Sequence, residues 1–177
     1  MIPMTPEQAA FLLQYQLPSM KNEYRTTSGL IAAIPSSNAD YCPDPQARSA
    51  AEIAWHIAAA EHRFYGGIVA GVFDFNAISR PEGGITTANI LKWYADSFAK
   101  NFDNLTRLTP EQAAKIMDFR GMFQLPAVAY LDFSIKHTVH HRGQLSTYLR
   151  AMGGKCPAIY GESYDSAEAK KASTQAN

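Results

Sequence analysis

Apolar residues recur at helical spacing along most of the chain. Ile53, Ile57, Ala60 and Phe64 lie three or four residues apart, and so do Ile90, Tyr94, Phe98 and Phe102. No stretch shows a convincing two-residue alternation of the kind a half-buried strand would give. Boundary signals divide the pattern. Thr5-Pro6-Glu7-Gln8 combines a capping hydroxyl, a proline at the first helical position and an acid in the first turn, which starts a first helix. That helix is expected to pass Phe11, Leu12 and Tyr15, kink at Pro18 for want of a backbone donor, and reach Leu30 and Ile34. Pro35 to Asn38 ends it, and Asp40 to Pro45 reads as a stiff loop. Ser49, or the residues just before it, opens a second helix whose end Gly66-Gly67 weakens.

Residues 74–84 are loop-like, after which Thr86 and Thr87 offer caps for a third helix through Ile90, Trp93, Tyr94, Phe98 and Phe102. A second Thr-Pro-Glu-Gln at Thr109 to Gln112 begins a short helix expected to stop near Gly121. The last long helix starts at or just after Pro126 and ends after Met152, where Gly153-Gly154 stops it. The polar segment after Tyr164, about residues 165–177, is expected to fray. These elements predict an all-α four-helix bundle with a short extra helix before the last long one, in a single domain over residues 1–177.

Composition narrows the function classes. The chain carries 16 basic and 16 acidic residues, so it lacks the basic excess that a nucleic-acid binder uses to displace phosphate counterions. Cys42 and Cys156 stand far apart with no CxxC pair, which predicts reduced thiols. No apolar run is long enough to span a membrane, and the first 16 residues lack a secretory pattern. A cytoplasmic protein with no membrane partner is the expectation.

Chemistry concentrates in the five histidines, which fall on two helices: His56 and His62 on the second, His137, His140 and His141 on the fourth long one. At about 100° per residue, His137 and His141 differ by roughly 40° around the helix and about one turn along it, so both imidazoles can reach one ion. Gln144 and Tyr148 fall within about 20° of His137, and Tyr130 and Ser134 extend the same polar line. A bundle interior lined this way leaves polar atoms that a bound cation would satisfy. His56 sits at the edge of its helix's apolar stripe, about 80° from the centre, and is the best third ligand. His62, roughly 240° further round, points elsewhere, to solvent or a tertiary hydrogen bond. His140, about 60° from His137 on the far side from His141, is a supporting donor, a substrate contact or an interhelical hydrogen bond.

Four runs carry a resemblance: Ala54-Trp55-His56-Ile57-Ala58-Ala59-Ala60-Glu61, His137-Thr138-Val139-His140-His141-Arg142-Gly143-Gln144-Leu145, Tyr148-Leu149-Arg150 and Pro157-Ala158-Ile159-Tyr160-Gly161. With Tyr41-Cys42-Pro43 and Arg48-Ser49-Ala50, they make nearly the whole chain similar to the DinB (YfiT-like) superfamily. The resemblance implies a four-helix bundle with a metal held by three histidines, carried over here to His56, His137 and His141. It also implies relatives of diverse activity, among them thiol S-transferases that use a low-molecular-weight thiol and a mycothiol-dependent isomerase.

Three neutral imidazoles leave at least one coordination position open, as in catalytic zinc sites. An open site permits catalysis, and with the resemblance it implies a metal-dependent transferase of the thiol S-transferase type, or a hydrolase, acting on a small molecule. The alternative is a non-catalytic, stress-responsive protein with a structural metal. Imidazole suits zinc and nickel alike. Gln144 or Tyr148 would orient the bound thiol or water, and Arg142 or Arg63 would meet an anionic substrate group; the alternative for Gln144 and Arg142 is a packing and salt-bridge role only. Tyr94, Phe98 and Phe102 form one row toward the core, while Trp93 lies about 100° from Tyr94 and either widens the core stripe of a monomer or is available to a partner chain. The resemblance favours a homodimer.

Overall fold

The computed structural model describes residues 3–175, and within them the order is α1 (Pro6–Ala32), a 3-10 turn (Ser36–Asn38), α2 (Ala50–Ala70), α3 (Thr87–Thr106), α4 (Pro110–Ala114), β1 (Ile116–Phe119), β2 (Phe123–Pro126), α5 (Ala129–Ala151) and α6 (Tyr164–Gln175). Among the described residues no helix is long and apolar enough to cross a membrane. The long helices close a ring, because α2 packs on α3 and α5, and α1 packs on both of those in turn. This is the four-helix bundle the apolar spacing predicts.

The caps that mark the helices in sequence form as reciprocal hydrogen bonds. Thr5 accepts from the Gln8 amide while Gln8 Oε1 accepts from the Thr5 amide, and Thr109–Gln112 repeats the arrangement at α4. Ser49 and Glu52 do the same at the start of α2. The first helix continues through Pro18 and ends at Ala32, two residues short of Ile34. Nor does Gly66-Gly67 close α2, which runs on to a left-handed Gly71 with φ 70°. The physical reason is packing. A Cβ at Gly67 would stand 2.3 Å from Phe73 Cδ1, so this glycine lets the buried Phe73 ring lie against the helix backbone.

Two expectations fail. The short helix stops at Ala114 rather than near Gly121, and the chain then forms an antiparallel hairpin pairing Met117 with Leu125 and Phe119 with Phe123. Its turn holds Arg120 and Gly121 at φ 56° and 70°, with the Gly121 amide donating to Asp118 Oδ2. Four-residue strands are too short to show a period, and Arg-Gly is a weak turn signal beside Asn-Gly. The hairpin is tied to α5 by the buried Tyr130, whose hydroxyl donates to the Met117 carbonyl at 2.8 Å. The segment after Tyr164 is helical through Gln175, held at its start by the Ser163–Ser166 side-chain and backbone exchange and by Asp165, which accepts from Arg150 and the Cys156 amide. Residues 176 and 177 of the expected frayed tail lie outside the described residues.

Two apolar clusters fill the bundle. One gathers Leu13, Met20, Phe64, Tyr65, Phe98 and Leu131 around the hairpin end, and the other gathers Leu30, Ile31, Ile53, Ile57, Ile90 and Leu145 at the opposite end. Trp93 is half-buried, with its ring edge-on to Trp55 at 4.8 Å and to His62 at 5.1 Å. It therefore packs within its own chain, and the most exposed aromatics are instead Phe11 and Tyr15 of α1.

Candidate metal centre

Facing positions of α2 and α5 bring His56, His137 and His141 together. His56 Nε2 lies 3.2 Å from His137 Nε2 and 3.1 Å from His141 Nε2, and one nitrogen from each ring falls within 4.8 Å of the others. Tetrahedral coordination with zinc–nitrogen bonds of about 2.0–2.1 Å sets ligand nitrogens roughly 3.3 Å apart, close to this spacing.

The protons decide what the cluster can do. His141 Nδ1–H donates to Gln144 Oε1 at 2.7 Å, which puts the lone pair of His141 on the Nε2 that faces the cluster. A hydrogen on His56 Nε2 can be aimed at only one of its two neighbours, and a hydrogen on His137 Nε2 leaves His56 and His141 opposed. Either way one close contact is left without a hydrogen bond, and a cation is the group that satisfies all three once each turns a lone pair to it. Among the described residues His137 Nδ1 is buried without a partner.

The rings are held in the neutral, ligating form. Burial first, then the neighbouring His141 and the Arg48 charge, lower His56 to about 4, and the same causes with His56 and His140 added bring His137 to about 4. Burial also lowers His141, against the Gln144 hydrogen bond. The cluster is half-buried, and a cleft of about 290 Å³ lined by Arg48, Trp55, His56, Arg63 and Arg80 opens beside it.

The remaining residues singled out in sequence disperse. Gln144 supports His141 directly. His140 is exposed with its ring 4.8 Å from that of His141, and Tyr148 lies edge-on to Tyr41 at 5.6 Å. His62 Nδ1 accepts from Asn101 Nδ2 at 3.0 Å in an interhelical bond. Arg63 lines the cleft. Arg142 does not: it is 1% exposed, pairs with Glu23 at 2.6 Å, bonds Thr27 and contacts Tyr160, so its guanidinium binds α1 and the Tyr160 segment and is not offered to a substrate.

Sequence reasoning missed Glu61. Buried one and a half turns beyond His56, its carboxylate accepts from Tyr94 Oη–H at 2.9 Å and Thr138 Oγ1–H at 3.2 Å. Burial pushes it up to about 7 against those hydrogen bonds. The signal was present, since Ile57, Glu61, Phe64 and Ile68 share one core-facing row and an acid there must be buried. Arg48 and Arg80 were missed as well, because only the loop after α2 brings Arg80 to the cleft.

Comparisons with known proteins agree with this architecture. A family model described as "DinB family" matches residues 11–174. The uncharacterised protein YjoA of Bacillus subtilis is 31% identical over 133 residues, 72% of this chain and 82% of its own, and YrdA of the same organism is 27% identical over 154 residues, 84% and 88%. A crystal structure of a DinB-like protein from Bacillus cereus superposes with a TM-score of 0.69 at 23% identity, covering 81% of this chain and 95% of that one. That of YjoA gives 0.66 at 22% identity, covering 86% and 99%. The chain belongs to the DinB family.

Proposed function

We propose that His56, His137 and His141 hold one divalent transition metal, zinc or nickel, through their Nε2 atoms, and that the centre serves a reaction on a small molecule. The observation that carries this reading is the convergence of three ring nitrogens with too few protons to bond one another, directly beside a cleft. Such an ion would lower the pKa of a thiol or water at its open position, which suits thiol transfer or hydrolysis. The chain's own residues then have defined tasks. Gln144 fixes the His141 tautomer and ring plane, burial keeps His56 and His137 unprotonated at neutral pH, and Trp55 gives the cleft an aromatic wall.

Loading the protein with cobalt and adding a low-molecular-weight thiol tests the reading. A near-ultraviolet thiolate-to-cobalt charge-transfer band, followed by thiol-dependent conversion of an electrophile, is expected. A cobalt spectrum indifferent to thiol would mean a closed coordination sphere and a structural metal.

A further inference from the structure

We propose that Arg48, Arg63 and Arg80 form an anion-recognition subsite that holds the carboxylate or phosphate of a small-molecule substrate beside the histidine cluster. The proposal rests on the cleft being the substrate side of the metal centre. Three separate segments supply these guanidinium groups: the residue before the Ser49 cap, the middle of α2, and the loop between α2 and α3. All three line the same cleft with His56 and Trp55.

Among the described residues none of the three forms an ion pair, in a chain whose basic and acidic residues balance. Glu52 is the one acid lining the cleft, and its Oε2 accepts from the Ser49 amide as part of the α2 cap. Arg63 is fixed in place, donating from Nε to the Asp74 carbonyl at 3.0 Å and from Nη2 to the Asn76 carbonyl at 2.8 Å. Those bonds also tether the segment that leads to Arg80.

Unpaired guanidiniums on an open surface spread into water, whereas a fold that gathers three around one concavity raises the local concentration of anions there. The planar fork of arginine matches a carboxylate or phosphate with two parallel hydrogen bonds. An anion docked on the arginines would place the rest of its molecule beside His56 and Trp55, which line the same cleft.

The test is calorimetric titration of the metal-free protein at low salt with inorganic phosphate and, separately, with glutarate. Arg48 and Arg80 are exposed and form no ion pair, so the Arg48→Gln/Arg80→Gln double variant is expected to fold, which circular dichroism checks. Wild type should bind at least one of the two anions, and the double variant should bind it at least tenfold more weakly while taking up zinc like wild type. The preferred anion distinguishes a phosphorylated from a carboxylated substrate. No binding of either anion by wild type, or wild-type affinity in the double variant, would overturn the subsite. A protein that binds the anion in this arginine-dependent way but takes up no zinc would support the subsite and refute the metal reading.

Discussion

Two polar clusters draw on α2 and α5, and they are built on opposite principles. The Glu61 cluster is sealed in the core, and each carboxylate oxygen accepts from a hydroxyl, Tyr94 on one side and Thr138 on the other. The histidine cluster is half-buried, stands at a cleft, and brings together three ring nitrogens that cannot satisfy one another. A complete hydrogen-bond set makes a buried polar group a fixed part of the fold, whereas an incomplete one marks where a ligand is expected. The same two helices thus carry a satisfied polar site and an unsatisfied one, five residues apart on α2 and adjacent on α5.

The sharpest way to break that contrast is to delete each cluster in the metal-free protein. Glu61→Ala strands the Tyr94 and Thr138 hydroxyls in the core, and we expect a loss of about 2–5 kcal/mol in urea unfolding at pH 6. His56→Ala removes an incompletely hydrogen-bonded, half-buried ring at a cleft, and a loss under about 1 kcal/mol is expected. Equal losses would erase the distinction.

The affinity of the centre for metal should depend on Gln144. Gln144→Ala frees the His141 tautomer and is expected to weaken zinc binding by about 10- to 100-fold without lowering thermal stability of the metal-free chain. Unchanged zinc affinity in a competition titration would show that Gln144 is a bystander.

The clusters should also respond oppositely to pH. His56 and His137 titrate near 4 in the fold and near 6.5 when unfolded, so the unfolded chain binds more protons between those values. Their contribution is complete above pH 6.5 and is lost as pH falls toward 4. Glu61 is raised from 4.5 to about 7, so its contribution is complete below 4.5 and is lost as pH rises through 7. Glu61→Gln should therefore gain stability on wild type from pH 5 to pH 8, and His56→Gln should flatten the fall below pH 6.5. Parallel pH profiles for both variants and wild type would contradict these assignments.

What the sequence revealed follows from the range of the interactions. His137 and His141 share one helical turn, so spacing alone put them on one face, and His56 followed from its place at the edge of an apolar stripe. The caps at Thr5, Ser49 and Thr109 are local and equally readable. The hairpin was hidden because four-residue strands carry no period, and the choice at Arg142 between a substrate contact and a salt bridge stayed open because its partners Glu23 and Thr27 lie more than a hundred residues away. Trp93 looked available to a partner because its contact with Trp55 is tertiary. We still propose a homodimer, and Trp93→Ala should cost about 1–3 kcal/mol of packing within the chain without changing the association state. Light scattering over a dilution series checks this, and dissociation by Trp93→Ala at unchanged stability would restore that surface as the interface.

The most direct test of the three-histidine centre is elemental analysis of protein equilibrated with zinc or nickel and freed of excess metal. Wild type and His62→Ala should retain about one ion per chain, while His56→Ala, His137→Ala and His141→Ala should each retain almost none. Equal metal content in all five proteins, or none in wild type, would contradict it.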